Sequence, residues 1–208
     1  MKFISKKLVV LLLLFSYLTS FRYLNDMDEV DYSEYYPIVN ELKWTYEISE
    51  NGDKYFQEVF MKQGVNVKDN SFLIETEGKR KSVLEYSVAQ GIVYLTNIQI
   101  DWGPIPFLLP ITCSSPIPVF SLEANRKRRW NWNGSVGYSF IRKDLEITYE
   151  YMGIEEINIL NLKYTCLKIV TSYKEESSNK TITSWFAKGI GLVRETSLNY
   201  EKKIIKYE

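Results

Sequence analysis

Beyond residue 35 the chain sustains no helical period. It repeats short runs in which apolar and polar residues alternate, each closed by turn residues. Residues 43–48 (Lys-Trp-Thr-Tyr-Glu-Ile) alternate with period two and are followed by Asn51-Gly52, the pair that supplies both φ > 0 residues of a type I′ hairpin turn. Residues 55–61 are the expected returning strand. Residues 71–76 and 82–88 flank a charged turn at Glu77-Gly78-Lys79-Arg80, and 92–100 follow Gln90-Gly91. A second set opens at Trp130, continues through 145–152, 164–173 and 181–186, and returns over 192–200 after the glycines at 189 and 191. Short alternating runs with short connections predict a meander of antiparallel strands, an all-β domain.

Composition narrows the chemistry. The 208 residues hold 16 tyrosines, in keeping with pleated, half-buried surfaces. They hold no histidine, which removes the commonest general base and the commonest transition-metal ligand. Ser-His-Asp and Cys-His catalysis are excluded, no catalytic or metal site is expected, and no cofactor is implied. The 26 basic and 26 acidic residues cancel, so nothing drives the chain toward nucleic acid, whose binding needs an excess of Lys and Arg. Adjacent acids such as Glu155-Glu156 and Glu175-Glu176 point to opposite faces of a strand or sit in turns, and make no acid/base pair.

The N-terminus reads as an export signal. Lys2, Lys6 and Lys7 precede an uncharged apolar run over residues 8–15, and Ser16, Thr19 and Ser20 follow. That run is shorter than the roughly 20 residues a spanning helix needs. Residues 1–20 are therefore expected to be a signal peptide or uncleaved anchor, 21–34 an acidic linker, and 35–208 a single domain. The protein is expected to be exported: periplasmic, on the cell surface or extracellular. No cysteine follows the leader run, so a lipid-modified N-terminus is not expected.

Several blocks resemble a group of uncharacterised bacterial secreted β-rich proteins. They are Tyr35-Tyr36-Pro37-Ile38 with Trp44-Thr45-Tyr46, Trp130-Asn131-Trp132-Asn133-Gly134 after a Pro/Leu segment, Cys166-Leu167-Lys168-Ile169, and Ser184-Trp185-Phe186-Ala187-Lys188-Gly189-Ile190-Gly191-Leu192-Val193-Arg194. The resemblance spans nearly the whole chain after the leader. Such proteins are similar to lipocalin-like or lipoprotein-carrier-like folds, which implies a curved antiparallel sheet forming an open or closed β-barrel with a concave apolar interior. This sequence departs from the pattern at Arg126-Lys127-Arg128-Arg129, where a Gly-containing turn is usual.

Residues 101–118 (Asp-Trp-Gly-Pro-Ile-Pro-Phe-Leu-Leu-Pro-Ile-Thr-Cys-Ser-Ser-Pro-Ile-Pro) are too proline-rich for a central strand and too apolar for a solvated loop, so a lid over the sheet is expected there. Trp102, Phe107, Leu108, Trp130 and Trp132 are the candidate cavity residues, whereas Trp44 and Trp185 are expected in the core. Arg126, Lys127, Arg128 and Arg129 are either a solvated turn or, beside the two tryptophans, an anionic-surface site at a membrane. Cys113 and Cys166 are either a disulfide, closing a loop of about fifty residues for about 4 kcal/mol, or two buried thiols. Two functions fit. The first is a non-enzymatic protein holding a lipid or other apolar small molecule in a barrel. The second is an envelope interaction or structural module with a filled core, docking a partner protein.

Overall fold

The computed structural model describes residues 32–38, 41–63, 70–101, 107–122, 128–176 and 178–208. The leader, most of the acidic linker, Trp102, Arg126 and Lys127 lie outside them. Within these residues the chain is all-β apart from one 3-10 turn at Tyr32–Tyr35, whose Tyr32 and Tyr35 are buried.

The strands are β1 (Leu42–Glu50), β2 (Asp53–Gln63), β3 (Ser71–Gly78), β4 (Ser82–Ala89), β5 (Ile92–Ile100), β6 (Leu109–Cys113), β7 (Ile117–Ser121), β8 (Arg129–Tyr138), β9 (Ile141–Ile159), β10 (Leu162–Lys174), β11 (Asn179–Ala187), β12 (Gly191–Ser197) and β13 (Tyr200–Tyr207). Every pairing is antiparallel, β1 pairs with β13, and β5 pairs with both β4 and β6, so the sheet closes on itself. The barrel has twelve strand positions. β6 and β7 share one of them, lying end to end along β5: Leu109 to Ile111 pair with Ile98 to Ile100, and Ile117 to Ser121 pair with Ile92 to Leu95. Closure pairs β1 with β13 and β4 with β5, and leaves β7 laddered on its β5 side alone.

Turn chemistry sets the register as the sequence predicts. Asn51 and Gly52 both have positive φ, at 52° and 91°, and β1 meets β2 in unbroken register from Glu50↔Asp53 to Leu42↔Met61. Alternation then assigns faces: Trp44, Tyr46 and Ile48 are buried on β1, and Ile147, Tyr149 and Tyr151 on β9. The outer face carries cross-strand ion pairs such as Lys203–Glu47 (2.7 Å) and Arg194–Glu201 (2.8 Å), each worth little in stability at such exposed sites.

Residues 109–113 and 117–121 are barrel wall, which corrects the expectation of a lid for these residues; residues 102–106 of that segment lie outside the described ones. The prolines explain how. Pro118 lacks an N–H and still pairs with Tyr94 on the β5 side, but the β7–β8 side carries no ladder. The closing seam is stitched mainly by side chains. Only Thr112↔Gly137 and Cys113↔Val136 pair β6 with β8, extended by Ser114 N–H donating to Ser135 O (2.9 Å). Farther along, Trp130 Nε1 donates to Pro118 O (3.2 Å) and Trp132 Nε1 to Ser115 Oγ (2.9 Å). The Tyr151 hydroxyl, reaching from β9, accepts from Ser121 N–H (3.1 Å) and donates to Ser121 O (2.8 Å).

Candidate functional site

Strand parity separates the two ends of the barrel. The β1–β2, β3–β4, β5–β6, β8–β9, β10–β11 and β12–β13 connections lie at one end, and the strand termini Leu42 and Tyr207 lie at the other. At that second end the segment before β1 enters the bore. Tyr36 brings its ring to Phe120 on β7 (4.8 Å), Phe186 on β11 (6.1 Å) and Phe72 on β3 (6.3 Å). These strands are spaced around the barrel circumference, so the Tyr36 ring stands across the lumen as a plug. The plug is anchored: Gly189 N–H donates to Glu34 O (2.7 Å) and Lys188 pairs with Glu34. Pro37 packs against Gly191, where an added Cβ would come within 3.4 Å of its ring. Trp44 Nε1 donates to Ile190 O (2.6 Å) and Tyr46 Oη to Leu192 O (2.8 Å). The Tyr35-Tyr36-Pro37 block and the Lys188-Gly189-Ile190-Gly191 block, far apart in sequence, are thus two halves of one closure.

Beyond the plug lies a cavity of about 590 Å3 inside the barrel, within the roughly 300–1,000 Å3 range of small-molecule sites. Its walls are mostly aliphatic and aromatic, with Val59, Met61, Leu84, Leu95, Ile98 and Ile111 among them. Against this apolar ground stand two charged side chains, Glu195 and Lys202, and the tyrosines Tyr36, Tyr46, Tyr86, Tyr149 and Tyr173. Glu195 and Lys202 are register partners on β12 and β13. Glu195 accepts from Ser184 Oγ (3.3 Å), while the Lys202 ammonium lies over the Tyr46 ring at 4.2 Å. Burial lowers the Lys202 pKa, opposed by the nearby Glu195. Burial raises the Tyr36, Tyr46, Tyr86 and Tyr149 hydroxyls, and pushes Tyr173 up to about 12.

The residues expected to line a cavity are placed differently. Trp130 is half-buried and stacked on Tyr149 (centroids 5.0 Å, planes at 9°), and Trp132 is buried with Ile117, Ile147 and Tyr149. Both fill and stitch the seam, because their indole N–H groups supply hydrogen bonds that proline-interrupted β7 cannot make with β8. Gly134 belongs to the same device: a Cβ there would come within 2.4 Å of Ser114 Oγ and 2.5 Å of the Trp132 ring. Phe107 is 61% exposed and Leu108 half-buried, and neither borders the lumen. Trp44 and Trp185 are buried, and Trp44 also borders the lumen.

Cys113 and Cys166 are separate thiols, so the structure holds no bridge between them. Register gives the reason. Cys113 pairs with Val136, which pairs with Lys143 on β9, whereas Cys166 pairs with Glu155, twelve positions farther along that strand. At about 3.3 Å per residue this far exceeds the roughly 7 Å a disulfide tolerates. Of the basic run, Arg128 is not simply solvated: its Nε donates to Tyr151 O (3.1 Å), and its carbonyl accepts from Tyr151 N–H (2.9 Å). Arg129 is exposed on β8. Among the described residues no group of three or more Asp, Glu or Cys is placed to hold a metal ion.

The residues that sequence reasoning missed are Tyr36, Glu195 and Lys202. A signal for the last two was present, because Arg194-Glu195 and Lys202-Lys203 are adjacent charges within strands. Alternation sends one of each pair inward.

No protein-family model matches the chain, and no curated protein matches it. Among solved structures it is similar to a candidate lipoprotein from Parabacteroides distasonis, with a TM-score of 0.52 and 11% identity over 84% of this chain and 98% of that one. It is also compared with a candidate exported protein with a YmcC-like fold from Bacteroides fragilis (TM-score 0.46, 12% identity, 83% and 97% covered). A third is the hypothetical lipoprotein YmcC from Escherichia coli K12 (TM-score 0.40, 12% identity, 81% and 88% covered). The likeness to the Parabacteroides distasonis protein is one of fold: the two chains share a β-barrel architecture over nearly their whole common length.

Proposed function

We propose that this is an exported, non-enzymatic binding protein that holds a lipid or other apolar small molecule in its barrel lumen. The observation that carries the reading is the unfilled, mainly apolar cavity of about 590 Å3, closed at one end by Tyr36. A barrel serving only as a scaffold gains stability by filling its interior, since each void forfeits packing contacts. An interior left open and lined with apolar groups suits a ligand that returns those contacts. Use of the lumen in this way also matches the lipocalin-like resemblance read from the sequence. Export is supported by the basic, apolar and small-residue pattern of residues 1–20 and by the fold shared with a candidate lipoprotein. The non-enzymatic reading is supported by the absence of histidine from the chain. A filled core, which the docking-module alternative would favour, is not what the lumen presents.

The test is extraction of the purified protein with organic solvent, followed by mass spectrometry of what is released. A near-stoichiometric apolar molecule is expected from the native protein, and far less from Leu95→Trp, which fills the lumen wall. Equal amounts from both would place the molecule elsewhere and refute the reading.

A further inference from the structure

The lumen is richer in hydrogen-bond donors than its aliphatic walls suggest. Lys202 is half-buried on β13 and borders the cavity. Among the described residues its ammonium makes no hydrogen bond and no ion pair within 4.0 Å; its contact is the Tyr46 ring face at 4.2 Å. Its outward neighbour Lys203, by contrast, pairs with Glu47 at 2.7 Å. The Tyr86, Tyr149 and Tyr173 hydroxyls border the same space and likewise make no hydrogen bond among the described residues. Glu195 acts on the ionisation of Tyr46, Tyr86 and Tyr173, which border the same cavity as Glu195 and Lys202. Glu195 itself is engaged by Ser184. The unmatched groups are thus an ammonium with three donors and several phenolic O–H donors.

We propose that the lumen ligand is a single-chain amphiphile with a carboxylate head, held by Lys202 and the Tyr86 and Tyr173 hydroxyls, with its chain against the aliphatic wall. This rests on the reading of the lumen as the binding site. A carboxylate offers about four acceptor sites and would give the Lys202 ammonium the direct ion pair that Glu195, its register partner on β12, does not make within 4.0 Å. Charge-assisted hydrogen bonds of this kind form best where water is excluded. Lys202 lies three positions from Asn199 in the β12–β13 turn, so the head sits toward the hairpin-tip end. The chain runs toward Tyr36.

The experiment uses 1-aminoanthracene, a fluorescent probe without a carboxylate, displaced in turn by palmitic acid, hexadecanol and hexadecylamine. All three competitors share one chain length. Palmitic acid is expected to bind at least about tenfold more tightly than hexadecanol, the ratio that roughly one charge-assisted hydrogen bond confers. Lys202→Met is expected to bring that ratio near one while still binding the probe, and Lys202→Arg to preserve it. Equal affinities for acid and alcohol, or a preference for the amine through Glu195, would overturn the carboxylate assignment while leaving the lumen as the site. Failure of the probe and of every competitor to bind would overturn the lumen reading itself, and this inference with it.

Discussion

Replacing Tyr151 by Phe tests whether the barrel is closed at its seam by side chains rather than by a backbone ladder. The substitution removes one oxygen and keeps the ring, which packs against Tyr32 (4.7 Å) and Trp130 (4.9 Å). Two hydrogen bonds are lost, both to the Ser121 backbone (3.1 and 2.8 Å). At about 0.5–1.5 kcal/mol net for each, the expected loss is about 2 kcal/mol. For a domain of this size that corresponds to a fall in Tm of about 4–8 °C. Tyr149→Phe is the control. Tyr149 is the inward neighbour on the same strand, but its hydroxyl borders the lumen and makes no hydrogen bond among the described residues, so its loss should change Tm by no more than about 1–2 °C, a surface-like effect. Thermal unfolding followed by circular dichroism reads both variants. Hydrogen exchange at Ser121 and its neighbours should accelerate in Tyr151→Phe alone, because the seam is the local opening unit. Equal Tm shifts for the two variants, or unchanged exchange at β7, would refute the claim that Tyr151 closes the barrel.

Gly137→Ala should destabilise by more than about 1–3 kcal/mol, since the new Cβ would lie 2.1 Å from Ile141 O and 2.8 Å from Arg142 Cα. Urea denaturation checks this, and a midpoint unchanged from wild type would show that β8 and β9 do not approach as closely as described. In the native protein the Cys166 thiol, pushed up to about 12 mainly by burial, should resist iodoacetamide until the chain unfolds. Cys113, half-buried and also raised by burial, should react slowly; mass spectrometry that finds Cys166 alkylated as fast in buffer as in urea contradicts this. Alkali should unfold the barrel steeply. Tyrosines of the unfolded chain lose their protons near pH 10, while the folded ones hold them higher through burial, Tyr173 to about 12. Stability is therefore full below about pH 10 and falls as pH rises toward 12, by about 1.4 kcal/mol per pH unit for each such tyrosine. The part of the tyrosinate absorbance that comes from the buried tyrosines should appear together with loss of the circular-dichroism signal, and ionisation of all 16 tyrosines with a midpoint near 10 in a still-folded protein would count against it.

Much of the wall was legible in the sequence because it depends on local rules. Period-two alternation and the Asn51-Gly52 turn place β1 and β2 in the register observed, and Gln90-Gly91, with φ of 51° and 71°, does the same for β4 and β5. The proline-rich segment was misread for a non-local reason. Pro116 and Pro118 do forbid an ordinary central strand, but here the missing ladder is replaced by indole and phenol groups from β8 and β9. Nothing in residues 101–118 alone announces that Trp130, Trp132 and Tyr151 wait across the gap. Sequence alone places Trp130 and Trp132 at a cavity as readily as at a seam, because an aromatic beside a proline-rich segment fits either. Only the pairing of β6 and β7 with the same edge of β5 decides between them.

The luminal charges were legible, by a rule applied to the wrong residues. Adjacent acids at Glu155-Glu156 were read as facing opposite ways, and the same geometry applies to Arg194-Glu195 and Lys202-Lys203. In a closed barrel the second face is not solvent but lumen, so a charged pair inside a strand sends one member into the interior. Arg194 and Lys203 take the outer face, where Glu201 and Glu47 meet them. Glu195 and Lys202 are left facing the lumen, where desolvation disfavours the ammonium against the pull of Glu195. Lys202→Met should therefore raise the stability of the empty barrel, because it exchanges a desolvated cation for a side chain of similar length that suits the aliphatic wall. A lower Tm for that variant would mean that Lys202 is a structural support for Tyr46 and Glu195. A higher one would show that the fold tolerates this cation at a cost in stability, as expected of a residue kept for what enters the lumen.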